Sequence, residues 1–448
     1  SDNPPARCDA DPAMFEDWGP ASALTKLEIT SDDAKECCFN INGDAEGTPD
    51  NQLATILGII PGVDVDAQLR SSLASGEFIL LNEHEGLSAL DQSEDFNINF
   101  HLGEFGAMDS SDYLKPKDGC NPEMPDCELV GTSGKKFTIN PESFEKGTKP
   151  QAVVPNASIS DSKIDAGPGK VVINISVPDL GTLGLTVNGA TIETEIDEAD
   201  SNIGDGTGVS LIKGKLGGYV LMKDVIALVN NLMSTCDCLG NPETAVDFPT
   251  SGQPDEVDLC VDPDSPDCEV ACTMDVQDKA GDCTDDDGAI CSNAGTVCGF
   301  TDQLGGFADL DFDDDGQGDA VSIGALFEAK GAEITGISEY IAPKDQEVSN
   351  PKEVTVPKIF ANEAGYMVIH EDDGGSAGAA IGNAAVSAGW NNDLTVTLDR
   401  EVTDGETLYA MLHTEGSGNS SYDGASDDPS VKDGVGNVVV ESFTVTTP

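Results

Sequence analysis

The sequence predicts a mainly β protein. A calcium-stabilised domain of β-sandwich or jelly-roll-like form, carrying a disulfide-rich insert, precedes an immunoglobulin-like β-sandwich. Three observations lead there. Short alternating or apolar runs recur between turn residues along the chain, at the spacing of a sandwich or barrel. With 49 Gly and 24 Pro in 448 residues, turns are frequent and long helices disfavoured. Aspartates alternate in short loops, the pattern of an oxygen cage for a hard cation.

Residues 1–30 are a polar, Pro-containing lead with Cys8. A strand donated to a neighbouring subunit would order such a lead. An Asn/Asp-rich loop follows Cys37, and Asp50-Asn51 caps a helix through Leu53, Ile56, Leu57 and Ile60 that Pro61-Gly62 ends. Strands are expected over 77–82, 96–102, 136–140, 170–177 and 183–195. Val225, Leu228, Val229 and Leu232 mark one amphipathic helix over 221–232. Residues 236–300 are rich in Cys, Asp, Pro and Gly and read as a disulfide-stapled insert without its own core. Cys120–Cys127 and Cys260–Cys268 echo one another, and each is expected to close as a local disulfide loop. Strand signals resume at 320–329 and 332–337. The expected domains are thus 31–342, a linker over 343–352, and a sandwich over 353–448.

The charge excludes whole classes of function. There are 83 acidic and 22 basic residues, a net charge of −61. A nucleic-acid binder would need Lys and Arg against phosphate, and anionic membranes would repel this chain. No run of 18 apolar residues offers a membrane span. Self-repulsion at this charge calls for ambient salt or bound Ca²⁺. Of 13 cysteines, eight fall between Cys236 and Cys298, a density that belongs to an oxidising compartment. A start at Ser1 without an apolar leader reads as a mature extracellular or cell-surface product whose signal peptide has gone. The odd cysteine count leaves one thiol free or paired with another molecule.

The sharpest motif is DLDFDDDGQGDAVS, Asp309–Ser322. Placing Asp311 first gives Asp313, Asp315, Gln317 (through its backbone) and Asp319 as calcium ligands. Ser322 stands where a sensor EF-hand has its bidentate Glu, so the loop is closer to structural calcium loops of secreted repeats. The plain alternative is a solvated acidic turn. A weaker relative, NINGDAEGTPDN, offers Asn40, Asn42, Asp44 and Asp50; Asp285–Gly288 is weaker still. His370 and His413 end two strands, with Met411 near. Two His and a Met are copper donors, but histidines hydrogen-bonded within a sandwich are the favoured reading. GxSxG, HExxH, P-loop and βαβ GxGxxG signatures are absent. The pair Cys236 and Cys238 is not CxxC. No enzymatic activity is expected. Asn156, Asn174 and Asn419 stand in NxS sequons.

Tyr366–His370, Leu394–Leu398, Leu408–His413, Asn419–Tyr422 and Gly436–Val445 resemble a β-sandwich domain of secreted and surface proteins of halophilic archaea and some bacteria. Cys38–Asn51 and Asp311–Gly324 resemble the paired Asp-rich loops of secreted proteins of myxobacteria-like bacteria. The second resemblance implies one calcium-binding β domain over 1–342. Neither implies an activity. The expected function is structural: the subunit of an extracellular filament or surface layer, self-associating head to tail, with strand donation and an intersubunit disulfide as possible links. The alternative is a calcium-dependent adhesin or carbohydrate-binding protein, for which Trp390 alone stands in a loop-like context.

Overall fold

The computed structural model describes residues 18–43, 47–59, 64–92, 95–177, 181–234, 236–240, 242, 245–247, 271–284, 289–292, 294–301, 307–312, 318–416 and 418–447. In chain order the strands of the first body are β1 Ala21–Glu28, β2 Leu80–Glu85, β3 Phe96–Phe105, β4 Leu114–Pro116, β5 Leu129–Gly131, β6 Lys135–Ile139, β7 Phe144–Lys146, β8 Lys149–Pro150, β9 Ala152–Ser160, β10 Lys163–Val177, β11 Gly181–Ile196, β12 Leu211–Leu221, β13 Val246–Asp247, β14 Ala271–Cys272 and β15 Ala320–Ile337. Its helices include α1 Asp32–Lys35, α2 Gln52–Ile59, α3 Val65–Ser75 and α4 Met222–Ser234.

The main sheet closes on itself. Antiparallel pairings run β1–β2–β3–β9–β10–β11–β12–β15 and return from β15 to β1, an eight-stranded ring. β6 bridges one end, antiparallel to β3 and parallel to β15. Closure satisfies every edge of this ring without a neighbouring chain. The spacing of short strands is legible in sequence as a sandwich or barrel, and the barrel is the form adopted. β1 corrects the expected lead. Ala21–Glu28 is almost wholly buried between β2 and β15, because Ala, Leu and Ser alternate there without a charge until Lys26. Only residues 1–17 of the lead, Cys8 among them, lie outside the described residues.

Helices cover the outside. α3 starts on the Asp64 carboxylate, which accepts Ala67 N–H at 2.9 Å, and ends on Gly76 in the left-handed region. From α3, buried Asp66 accepts the N–H groups of Ile29 (2.8 Å) and Thr30 (3.1 Å) where β1 ends. A buried carboxylate is tolerable when backbone donors satisfy it so. α4 buries Val225 and Leu228, as its sequence period requires.

Five disulfides join described cysteines: Cys37–Cys38, Cys120–Cys127, Cys236–Cys291, Cys238–Cys283 and Cys272–Cys298. The Cys120–Cys127 loop agrees with its sequence reading, whereas Cys260 and Cys268 lie outside the described residues. Buried Cys236, Leu239, Cys272, Val276, Cys291 and Cys298 merge into the barrel's apolar cluster. The described part of the insert therefore has no separate core.

The second body is a β-sandwich of two sheets. One holds β16 Tyr340–Ala342, β18 Glu353–Ala361 and β21 Gly389–Thr397; the other holds β17 Gln346–Glu347, β19 Gly365–Asp372, β20 Ala377–Val386, β22 Glu406–Thr414 and β23 Val440–Thr446. Val354, Val356, Met367, Ile369, Leu408, Leu412 and Phe443 fill the space between them. The segment 343–352, expected as a linker, belongs to this body. Gln346–Glu347 pairs with β23, and the Gln346 side chain bonds both backbone groups of Thr355.

The two bodies are packed together. Tyr340, Phe360 and Trp390 join the barrel's cluster, and Asn362 Nδ2 donates to Ile337 O at 2.8 Å. A cleft of about 410 Å³ at the junction is lined by Glu104, Glu339, Asp433 and Glu441. Burial pushes the Glu104 and Glu339 carboxyls above the usual carboxylate range. A raised carboxyl pKa means that the folded state holds its proton longer than the unfolded chain. The cleft's contribution is full below the ordinary Glu value and is lost as pH climbs through the raised one. Glu339→Gln should therefore melt higher than the parent at pH 7.5 and alike at pH 4, in thermal unfolding at constant salt. A variant that melts at or below the parent at pH 7.5 would refute this.

Candidate metal loops

The two Asp-rich loops, 270 residues apart in sequence, meet at one end of the barrel. β15 begins at Ala320 beside the end of β12, and α2 packs on it. Two hydrogen bonds lock the loops together, and a third ties the first loop to α1. Gln52 N–H donates to Ser322 Oγ at 3.0 Å; Asn51 Nδ2 donates to Gly324 O at 2.8 Å and to Ala34 O at 2.8 Å. Gly324 is required by the approach, since a Cβ there would sit 2.5 Å from Cys37 O. Asn51 Oδ1 also caps α2 by accepting Ala54 N–H at 3.2 Å.

The carboxylates have distinct duties. Asp309 Oδ1 accepts Ser322 N–H (2.8 Å) and Oδ2 accepts Ser322 Oγ–H (2.6 Å). Asp50 Oδ2 accepts the N–H groups of Ile41 (2.8 Å) and Asn42 (3.0 Å), and Oδ1 accepts from Asn42 Nδ2. Asp319 is buried, and its Oδ2 accepts Phe312 N–H at 2.6 Å. Burial raises the Asp309 pKa, and the Asp50 charge across the junction adds to it.

Of the residues expected as ligands, Asp311 is exposed, Asn40 is half-buried at its loop's start, and Asn42, Asp50 and Asp319 are placed as above. Asp313, Asp315, Gln317 and Asp44 lie outside the described residues, as does Asp285–Gly288. Among the described residues, no three His, Cys, Asp or Glu side chains gather as a metal cage. The described candidate donors are carboxylate and amide oxygens, the chemistry that Ca²⁺ takes, and Asp50 facing Asp309 is a repulsion that a cation would relieve. Asp309 itself is missing from the ligand set read in sequence. Its place at the head of the 309–311–313–315 alternation was the available signal.

His370 and His413 are both buried and hydrogen-bonded to backbone carbonyls within the sandwich. Trp390 packs edge-on against Phe360 at the body junction, away from both loops.

Asn51→Ala removes a helix cap and leaves buried carbonyls unpaired. It should cost about 3 kcal/mol in urea unfolding at fixed salt. A cost under about 1 kcal/mol would show that the two loops are held by other contacts.

Residues 339–446 match the family described as a domain of unknown function, DUF7282. The chain is similar to Cell surface glycoprotein 1 of Haloarcula hispanica, 34% identical over 139 residues, which are 31% of this chain and 14% of that protein. It is also similar to Cell surface glycoprotein 2 of the same organism, 36% identical over 108 residues, 24% of this chain and 11% of that protein. The chain thus spans 14% or less of the length of these relatives. No solved structure matches it.

Proposed function

We propose that this chain is a structural, non-enzymatic protein of a halophile's cell surface, the subunit of an extracellular filament or surface layer held by calcium and disulfides. The observation that carries the reading is the likeness to two proteins named cell surface glycoproteins. The charge of −61 fits a saline exterior, where salt screens self-repulsion. The disulfides fit an oxidising one. Asn156 and Asn419 are exposed within NxS sequons and accessible to glycan.

Calcium binds where the two loops converge. Asp311, Asp313, Asp315, Gln317 and Asp319 form one ligand set, Asn40, Asn42, Asp44 and Asp50 the other, with Asp309 between. The ion neutralises the loops and clamps the end of β15. Association is head to tail, since the acidic loops and the sandwich stand at opposite ends of β15. Cys8, within residues 1–17, is the candidate for a covalent link between copies. The adhesin reading gains no support from Trp390, whose ring is occupied at the body junction.

Electron microscopy of native envelope material, labelled with antibody to this chain, tests the assignment. Ordered arrays or filaments are expected, losing order when EGTA is added at constant high NaCl. A monomer in native material would sink the assembly, and arrays indifferent to chelation would sink the calcium. The purified chain should also melt lower in EGTA than in Ca²⁺ at equal ionic strength.

A further inference from the structure

The sandwich carries a second donor set, unrelated to the acidic loops. β19 and β22 pair with Tyr366 opposite His413, Val368 opposite Met411 and His370 opposite Tyr409. Met367, Ile369, Leu408, Ala410 and Leu412 point into the sandwich core. Strand alternation therefore puts His370, Met411 and His413 together on the opposite face. That face is not open. The segment after β22 returns beside the end of that strand, with Thr414 N–H donating to Pro429 O and Val431 N–H to Leu412 O, and brings the Asp428 carbonyl onto the His413 ring. The Tyr422 ring stands 5.2 Å from His413, edge-on.

The two imidazoles are arranged alike. His370 Nδ1 lies 2.9 Å from Gly378 O, and His413 Nδ1 lies 2.7 Å from Asp428 O. A carbonyl only accepts, so each Nδ1 carries the hydrogen and each Nε2 presents a bare lone pair. Both Nε2 atoms are buried and have no hydrogen-bond partner. His370 is 7% exposed and His413 1%. The rings are near-parallel, 16° apart, with centroids separated by 5.8 Å. Two orphaned acceptors side by side are costly in a native fold.

An electron-pair acceptor held between them is the remedy. Imidazole nitrogens hold a metal ion at about 2.0 Å, and the two ring centroids lie 5.8 Å apart. Histidines fixed through Nδ1–H to backbone carbonyls are the usual outer support of such ligands. The half-buried thioether of Met411 lies in register between the two strands' histidines. The thioether is soft, the imidazoles are borderline and all three are uncharged, which favours a monovalent soft ion over a hard divalent one. We propose that His370 and His413 bind one Cu(I) ion through their Nε2 atoms, with the Met411 sulfur as third donor. The site is independent of calcium and of assembly.

The test uses the full chain, with accessible thiols alkylated so that cysteine cannot compete. Cu(I) is titrated anaerobically against a colorimetric Cu(I) chelator, and the product is analysed by X-ray absorption. One Cu(I) per chain is expected, with two nitrogen neighbours and one sulfur. Met411→Leu preserves apolar volume and should weaken binding at least tenfold and remove the sulfur signal. His413→Gln should abolish stoichiometric uptake, with circular dichroism confirming a folded variant. Absence of uptake by the parent chain, as a water bridging the two histidines would produce, overturns the proposal. So does tighter binding of Zn(II) than Cu(I), or copper that His413→Gln and Met411→Leu both leave unchanged.

Discussion

The architecture depends on the hydrogen bonding of one strand, β15. Its first half pairs with β12, its middle with β1, and its last residues run parallel to β6. The β1 pairing closes the ring, and everything between β1 and β15 in the chain is held within that closure. Such long-range pairing carries a large loop-closure cost. Local devices offset it: caps on Asp64 and Asn51, the Asp66 bonds to the end of β1, and disulfides across the insert. A closed ring also leaves no exposed ladder on the barrel, which matters for a chain expected to stand in concentrated salt, where charge alone no longer keeps copies apart.

Negative charge is handled differently in different places. Asp66, Asp309 and Asp319 are drawn inward and saturated with backbone or hydroxyl donors. Glu104 and Glu339 are confined to the cleft between the bodies, where burial disfavours their ionised form. Glu83 and Asp428 are likewise buried and accept backbone N–H groups, and most other described carboxylates face solvent, with few cations to meet them. Isolated surface pairs such as Lys358–Glu142 contribute little. Stability is therefore concentrated in the apolar clusters and the backbone ladders, and carboxylates work mainly as acceptors for N–H groups that turns leave over.

Local pattern made much of this legible. The period of Val225 and Leu228 announced α4, Asp50-Asn51 announced the start of α2, and turn spacing announced an all-β body with a sandwich after it. What stayed hidden was non-local. The uncharged run before Lys26 suits Ala21–Glu28 to burial, but its place as a central strand is set by β2 and by β15, the latter about 300 residues away. Gln346–Glu347 looks like linker since two residues carry no period; its strand identity comes from β23. The acidic loops were found singly through spacing, but their convergence through Asn51 and Ser322 is a tertiary fact. Asp309 heads the acidic motif in sequence, but its pairing with Ser322 is likewise a tertiary fact. His370 and His413 were visible as strand-end residues, while the orphaned Nε2 atoms follow from the carbonyls that β20 and the cover segment present to their Nδ1 atoms.

The length of β15 has a mechanical meaning. Its 18 residues, at about 3.3 Å each, reach about 60 Å from the acidic loops to the sandwich. Tension applied between those two ends runs along the covalent backbone of the strand, and the flanking ladders with β12, β1 and β6 hold that backbone extended. A molecule strung this way resists stretch along its own axis far better than across it.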